Sequence, residues 1–397
     1  MTTAPHQFCM HAIALMCWAA TTVGATPLFS TGIVAGVVMI PSLDEASGLA
    51  ASRGNPRVLW AHNDSGDSAR VFAITEEGAL LRRYALPGVV AVDFEDMACG
   101  PGPDRGVTYL YIGDIGDNAS LRPHISVYRA PEPPVYMQFT NAPVTRSLTN
   151  LAALTCVYPG SARDAEALLV DPVTTSIFIA SKQNTTRVYE APFAAWSTPG
   201  VCTLELVFAT TIISNVTAGD ISPDGALIVL RAKDMACAWQ RQPGEQVAAA
   251  LERDPFMLPL QSEPQGETFA FSADNSCYFT LGEGTNQPLY RYDRADALRA
   301  EALLAPGSLW RWRPADASIG SAWRQPHYDD SAWQIGPAAL GSNYNFLATT
   351  LRAPSRYAWT TLWFRAAVAP VPALYTSACV RAIFDDGCAL YLNGTEV

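Results

Sequence analysis

The sequence predicts an all-β fold: a β-propeller of about five four-stranded blades, with six as the alternative count, followed by the N-terminal part of a β-sandwich. Three observations predict it. An acidic pattern recurs about every fifty residues, each copy carries the same succession of short strands and turns, and the composition changes sharply near residue 308. Internal repeats of this length point to propellers or solenoids, and helical repeats would show a 3.6-residue period instead.

The first two copies define the repeat. Glu45 recurs fifty residues later as Glu95, Asp64 as Asp114, Gly66 as Gly116 and Asp67 as Asp117. Weaker copies open at Glu166, Thr217 and Glu267. Each copy runs from an apolar strand into a turn such as Gly54-Asn55-Pro56, Asp171-Pro172 or Pro223-Asp224-Gly225. A second apolar strand follows: Val58–Ala61, Tyr109–Ile112, Ile177–Ala180, Ala226–Val229 and Cys277–Thr280. An alternating third strand comes next, as in Arg70–Ile74, Ile125–Arg129 and Leu289–Tyr292. β-Branched and aromatic residues between Gly, Pro, Asp and Asn turns are the signature of strands.

Five units fit between residues 30 and 295, and the last lacks a fourth strand. The run Thr31–Ile40 is a strand without a unit of its own. Pairing it with the last unit closes the ring and removes an open edge. The oversized interval between Glu95 and Glu166 contains Ala130-Pro131-Glu132-Pro133-Pro134 and reads as a long excursion.

In a radial arrangement the recurring Glu begins each innermost strand, on the face where the second strand ends. Glu45, Glu95, Glu166 and Glu267 then converge on one mouth of the central channel. Asp64 and Asp114, with Asn63, Asp67 and Asp117, form part of a second ring, to which later units add Lys182, Arg231 and Lys233. His62 lies beside Asn63 on the same turn. Crowded carboxylates raise one another's proton affinity unless a cation neutralises them, and hard oxygen ligands at short spacing suit Ca²⁺. Glu45, Asp64, Glu95, Asp114, Glu166 and Glu267 are therefore the candidate metal ligands. His62, Asn63, Lys182 and Arg231 are candidates for holding a small anionic or sugar-derived ligand. The same residues equally suit a structural role, because Asp and Gly form turns and a Glu can bind backbone amides of a neighbouring unit. No G-x-S-x-G, H-E-x-x-H or Walker pattern occurs.

Composition sets outer bounds. The 397 residues are 49% apolar and 16% charged, which excludes general disorder and makes two domains the expectation. A net charge of −11 argues against binding a nucleic-acid backbone, which requires a basic face. The apolar stretch Ala12–Ala20, followed by Val23-Gly24-Ala25, predicts a signal peptide over residues 1–25, although His6 and His11 stand where Lys or Arg is usual. That stretch is too short to span a bilayer, and no later segment reads as transmembrane. Past it, seven cysteines remain, at 99, 156, 202, 237, 277, 379 and 388. They lack C-x-x-C spacing, which argues against zinc, and they are read either as buried core residues or as up to three bridges with no pairing assigned. Asn118, Asn184, Asn215 and Asn393 begin N-x-S/T sequons.

The segments Leu43–Ala50, Val58–Asp67 and Tyr111–Asn118 resemble a group of secreted bacterial-type β-propellers of largely uncharacterised function, over residues 40–295. The resemblance implies export and a propeller but no defined activity. A more distant likeness to Ca²⁺-dependent lactonase propellers implies an axial metal, with Glu45, Asn63 and Asp114 matching the family's Glu, Asn and Asp ligands by residue type and position.

After a linker at 296–308, with a short helical turn expected over 297–303, Trp310, Trp312, Trp323 and Trp333 crowd together. Asp385-Asp386-Gly387 and Asn393-Gly394 mark hairpin turns. With Leu340-Gly341, Trp363-Phe364-Arg365 and Leu392, these residues resemble the galactose-binding-like jelly-roll modules of secreted hydrolases and adhesins. The resemblance implies glycan binding by exposed aromatic rings, set against the expectation that Trp333 and Trp363 belong to the core. It also implies further strands, so the module over 309–397 reads as incomplete at its C-terminal end.

Two functional classes remain open on sequence. One is an extracellular Ca²⁺-binding propeller, extending to metal-assisted hydrolysis of esters, lactones or phosphoesters. The other is a non-catalytic interaction or adhesion scaffold with a carbohydrate-binding-like module.

Overall fold

The structure, a computed structural model, describes residues 28–135, 145–295, 308–314, 320–338, 340–341, 349–351, 362–367, 389, 391–392 and 395–396. The expected signal segment, the helical turn at 297–303 and the Asp385-Asp386-Gly387 and Asn393-Gly394 turns lie outside the described residues. The described chain is all-β apart from short helical pieces such as α1 (Val247–Leu251). None of its helices is long and apolar enough to cross a membrane.

Strand β1 (Ile33–Val38) comes first. Sheet 1 follows with β2 (Ala46–Ala51), β3 (Val58–Asn63), β4 (Arg70–Thr75) and β5 (Leu80–Ala85). Sheet 2 takes β6 (Phe94–Pro101), β7 (Thr108–Asp114) and β8 (Ile125–Pro131), then, after β9 (Thr145–Ser147), β10 (Ala152–Val157). Sheet 3 takes β11 (Ala165–Val170), β12 (Ile177–Ser181) and β13 (Thr186–Ala191), then, after β14 (Cys202–Thr203), β15 (Glu205–Thr210). Sheet 4 is β16 (Val216–Ile221), β17 (Leu227–Ala232), β18 (Met235–Gln240) and β19 (Phe256–Leu258). Sheet 5 is β20 (Ala270–Phe271), β21 (Cys277–Leu281) and β22 (Gln287–Asp293), and its fourth strand is β1. β1 runs antiparallel to β22, with Ile33 opposite Arg291 and Val38 opposite Gln287.

Successive strands within each unit are antiparallel neighbours, because short Gly, Asp or Asn turns leave no room for a crossover. Two strands depart from this order. β9 leaves sheet 2 to pair in parallel with β5 of sheet 1, and β14 leaves sheet 3 to pair in parallel with β10 of sheet 2. The excursion after Glu132 thus contributes a fifth strand to the preceding sheet.

Five apolar clusters separate the sheets in cyclic order. They lie between sheets 1 and 2 (Trp60, Leu110), 2 and 3 (Tyr111, Leu168), 3 and 4 (Phe178, Trp239), 4 and 5 (Val229, Tyr278), and 5 and 1 (Phe279, Leu59). Second strands are covered on both faces, which explains their unbroken apolar runs; every residue of β3, β12, β17 and β21 is buried. First strands are rich in Ala, Gly, Ser and Thr, as in Ala46-Ser47-Gly48-Leu49-Ala50-Ala51, which lets backbones approach where the sheets converge.

Polar side chains tie the first strands together. Asp96 on β6 accepts N–H donors from Leu168 of β11 at 2.9 Å and Gly219 of β16 at 3.2 Å. Asp220 on β16 accepts from Phe271 of β20 at 2.8 Å. Arg53 donates to carbonyls of Cys99 and Ser272, joining sheets 1, 2 and 5 at the far end of the strands.

Beyond residue 308, β23 (Leu309–Pro314) lies between β24 (Gln334–Pro337) and, further along the chain, β27 (Leu362–Arg365), both antiparallel to it. Between them in sequence, β25 (Leu340–Gly341) and β26 (Thr349–Thr350) pair in parallel, and β28 (Tyr391–Leu392) pairs with β29 (Thr395–Glu396). Trp333 is buried, Trp363 is half-buried, and Trp363 stacks on Trp323 with centroids 5.2 Å apart. Asp330 holds Arg365 at 2.8 Å.

Candidate cation-binding site

One irregularity recurs at the start of the first strands and builds the site. The β2–β3 register shifts between Ala46 and Gly48, β6–β7 between Phe94 and Asp96, β11–β12 between Ala165 and Ala167, and β16–β17 between Val216 and Ala218. In sheet 5, Gly266 bridges Gly282 while Ala270 pairs with Phe279, so the same one-residue shift falls in the interval containing Glu267. The residues at these bulges are Ser47, Glu95, Glu166, Thr217 and, in the fifth interval, Glu267. A bulge adds an unpaired residue and re-aims its side chain. Two residues earlier stand Glu45, Asp93, Asp164, Asn215 and Gln265. Main-chain bonds confirm four of those five positions: the carbonyls of Glu45, Asp93, Asp164 and Gln265 accept from Asp64, Gly116, Lys182 and Glu283 just past the second strands.

The result is a dense group of carboxylates. One oxygen each of Asp64, Asp93 and Glu95 lie within 4.8 Å of one another, and the same holds for Glu95, Asp164 and Glu166. Glu95 belongs to both triads and is buried, as is Glu166. Lys182 forms an ion pair with Glu166. Glu267 joins the group through the fields of Glu283, Glu166 and Lys182. A side chain at Gly116 would collide with the site, because its Cβ would stand 2.1 Å from Glu95 Oε1 and 2.6 Å from the Asp93 carboxylate. Asp164 is positioned by the Asp117 N–H at 2.8 Å.

The electrostatics follow from burial and like charge. Burial, then Glu166, Asp64, Asp93 and Asp164, hold the Glu95 carboxyl far above the usual carboxylate range. Burial raises Glu166 despite Lys182, and burial with Glu283 raises Glu267. Asp93 is pushed up to about 6 by burial and then by Asp64, with Arg122 opposing. Burial disfavours the Lys182 ammonium, but Glu166, Glu267 and Glu95 outweigh it and its pKa is raised. Such a group keeps protons or takes up a cation. Ca²⁺ is held by oxygens at about 2.3–2.6 Å, so oxygens sharing one ion stand no more than about 5 Å apart, and those of each triad lie within 4.8 Å of one another.

The sequence-predicted residues divide. Asp64, Glu95, Glu166, Glu267 and Lys182 are brought to the cluster. Glu45 is exposed at its margin, near Asp44 and Asp64, and Ser47 occupies the bulge of sheet 1. Asp114 is buried and turned away onto Arg122 at 2.8 Å, while accepting N–H donors from Val92 and Asp93. Arg231 is fully buried within its own region, bound to Glu263 and the Thr268 carbonyl. His62 is fully buried, its Nδ1 at 2.8 Å from the Asn63 carbonyl and its ring edge-on to Phe94. Burial lowers its pKa, leaving a neutral ring. Asn63 supports the loop, accepting from Glu45 N and donating to the Ser42 carbonyl and Asp67.

Asp93 and Asp164 were not among the sequence candidates. Their signal was Asp-x-Glu, present as Asp93-Phe94-Glu95 and Asp164-Ala165-Glu166. No family model and no curated protein matches this chain.

Proposed function

We propose that the protein is an exported five-bladed β-propeller that binds a divalent cation, Ca²⁺ by ligand chemistry, at the acidic mouth formed by the bulged first strands. The observation that carries this reading is the pair of triads sharing Glu95, in which Glu95 and Glu166 are buried, Asp64, Asp93 and Asp164 are half-buried, and Lys182 is ion-paired to Glu166. The cyclic order of five sheets and the pairing of β1 with β22 support the propeller, and the apolar stretch near the N-terminus supports export. A cation held here at the surface of the cluster would polarise an ester, lactone or phosphoester oxygen. The aromatic-rich C-terminal segment, through its resemblance to galactose-binding-like modules, supports attachment to glycans.

Calorimetric titration of the metal-free protein with Ca²⁺ and Mg²⁺ tests the site. Saturable Ca²⁺ uptake, lost in Glu95→Gln and Glu166→Gln, is the expected result. Absence of heat and of any calcium-dependent rise in melting temperature would leave the carboxylates as ties between neighbouring sheets, the role of an interaction scaffold. Turnover of a lactone, ester and phosphoester panel, with and without Ca²⁺, then separates a hydrolase from a binding protein.

A further inference from the structure

The outer edge of sheet 2 is completed by β14, a strand lent by the next unit. β14 and β10 run parallel, and their register places Cys156 directly opposite Cys202 and Val157 opposite Thr203. The Leu204 N–H adds a bond to the Val157 carbonyl at 2.9 Å. We propose that Cys156 and Cys202 form a disulfide that locks this strand clasp between sheets 2 and 3.

Register partners on adjacent strands have Cα atoms about 5 Å apart, inside the roughly 4.4–6.8 Å that a disulfide spans. In this structure both cysteines are thiols. Among the described residues the other cysteines face different partners: Cys99 is opposite Leu110 and near Glu132, Cys237 touches Met257, and Cys277 is opposite Asp293. Cys156 is fully buried and Cys202 is half-exposed, so the pair has one accessible and one protected sulfur.

That asymmetry sets the order of oxidation by a small disulfide such as oxidised glutathione. The Cys202 thiolate attacks one glutathione sulfur, releasing glutathione thiolate and leaving a mixed disulfide. The Cys156 thiol then gives up its proton and attacks Cys202 Sγ, expelling the second glutathione. Two protein thiols are oxidised and one glutathione disulfide is reduced to two thiols. The bond ties down residues 192–204, where Trp196 lies over the Arg129 guanidinium at 4.0 Å. Reduction leaves that segment held by main-chain bonds, stacking and the apolar packing of Ala195, Trp196 and Leu204.

Peptide mapping of the full chain after equilibration with a glutathione redox buffer, denatured and alkylated without reductant, tests this directly. The expected product is a linked Cys156–Cys202 peptide pair about 2 Da lighter than the two thiol peptides, lost on reduction. Recovery of both cysteines fully alkylated, like Cys237, would overturn the proposal. A second measurement is the melting temperature of the wild type, expected to fall by about 5 °C on reduction. Cys202→Ser should abolish that redox dependence, and a Cys202→Ser variant retaining the full shift would place the responsible bond elsewhere and refute the clasp.

Discussion

Ser47 and Glu95 occupy equivalent bulges on neighbouring first strands, and Ser47 Oγ donates to the Glu95 main-chain carbonyl. Ser47 Oγ also stands 3.5 Å from Glu95 Oε2, so a hydroxyl in sheet 1 fills the place that carboxylates fill in sheets 2 and 3. This substitution supplies a neutral partner for one of the buried acids of the cluster.

Ser47→Ala removes that bond and leaves a buried carbonyl unmatched, at a cost of about 1 kcal/mol. Ser47→Glu adds a carboxylate against Glu95 and should lower the metal-free melting temperature much more than Ser47→Ala does. Saturating Ca²⁺ should recover most of the Ser47→Glu loss and little of the Ser47→Ala loss, which thermal melts of both variants with and without Ca²⁺ will report.

Asp64 and Asp114 should separate cation binding from stability. Asp64→Asn is expected to weaken Ca²⁺ binding by about tenfold, equivalent to about 1.4 kcal/mol, with little change in the metal-free melt. Asp114→Ala leaves Arg122 and two main-chain N–H groups without their acceptor and should cost about 2 kcal/mol of stability. Its calcium affinity, measured by the same titration, should stay near the wild-type value.

Asp220 gives a pH signature outside the acidic cluster. Burial raises its carboxyl to about 6, against Arg53 and the N–H donors of Phe271 and Ile221. A raised folded-state pKa means that the native state retains a proton the unfolded chain has released. Its contribution is therefore full below about pH 4 and is lost as pH rises through about 6, on the order of 3 kcal/mol. Asp220→Asn should flatten the stability profile between pH 4 and 6 in denaturant titrations.

Asp171 and Arg241 join sheets 3 and 4 through a buried two-point contact, at 2.6 and 3.1 Å. Burial alone would raise Asp171, but hydrogen bonds from Arg241, Thr174 and Val173 bring it below its ordinary value. The stability it provides is present above that ordinary value and is lost as pH falls through the depressed one. Arg241→Ala strands the carboxylate and should cost about 3 kcal/mol, read from the unfolding midpoint.

The repeat, the all-β class and the strand of Thr31–Ile40 were legible because turn residues and apolar runs are local properties. The acidic character of the cluster was legible too, since Glu95, Glu166 and Glu267 recur in the chain. Which of the acidic side chains come together was not. Equal spacing matched Glu45 to Glu95 and Asp64 to Asp114, whereas the strand register matches Ser47 to Glu95 and Asn63 to Asp114. Side chains alternate faces along a strand, so a one-residue difference sends Asp64 toward the carboxylates and Asp114 toward Arg122. Hairpin lengths differ between units, and only the paired structure reveals where each bulge falls. Composition and repetition thus determined what kind of residues gather in the cluster. Which of them face one another was decided by strand pairing, because a bulge is a property of two strands together.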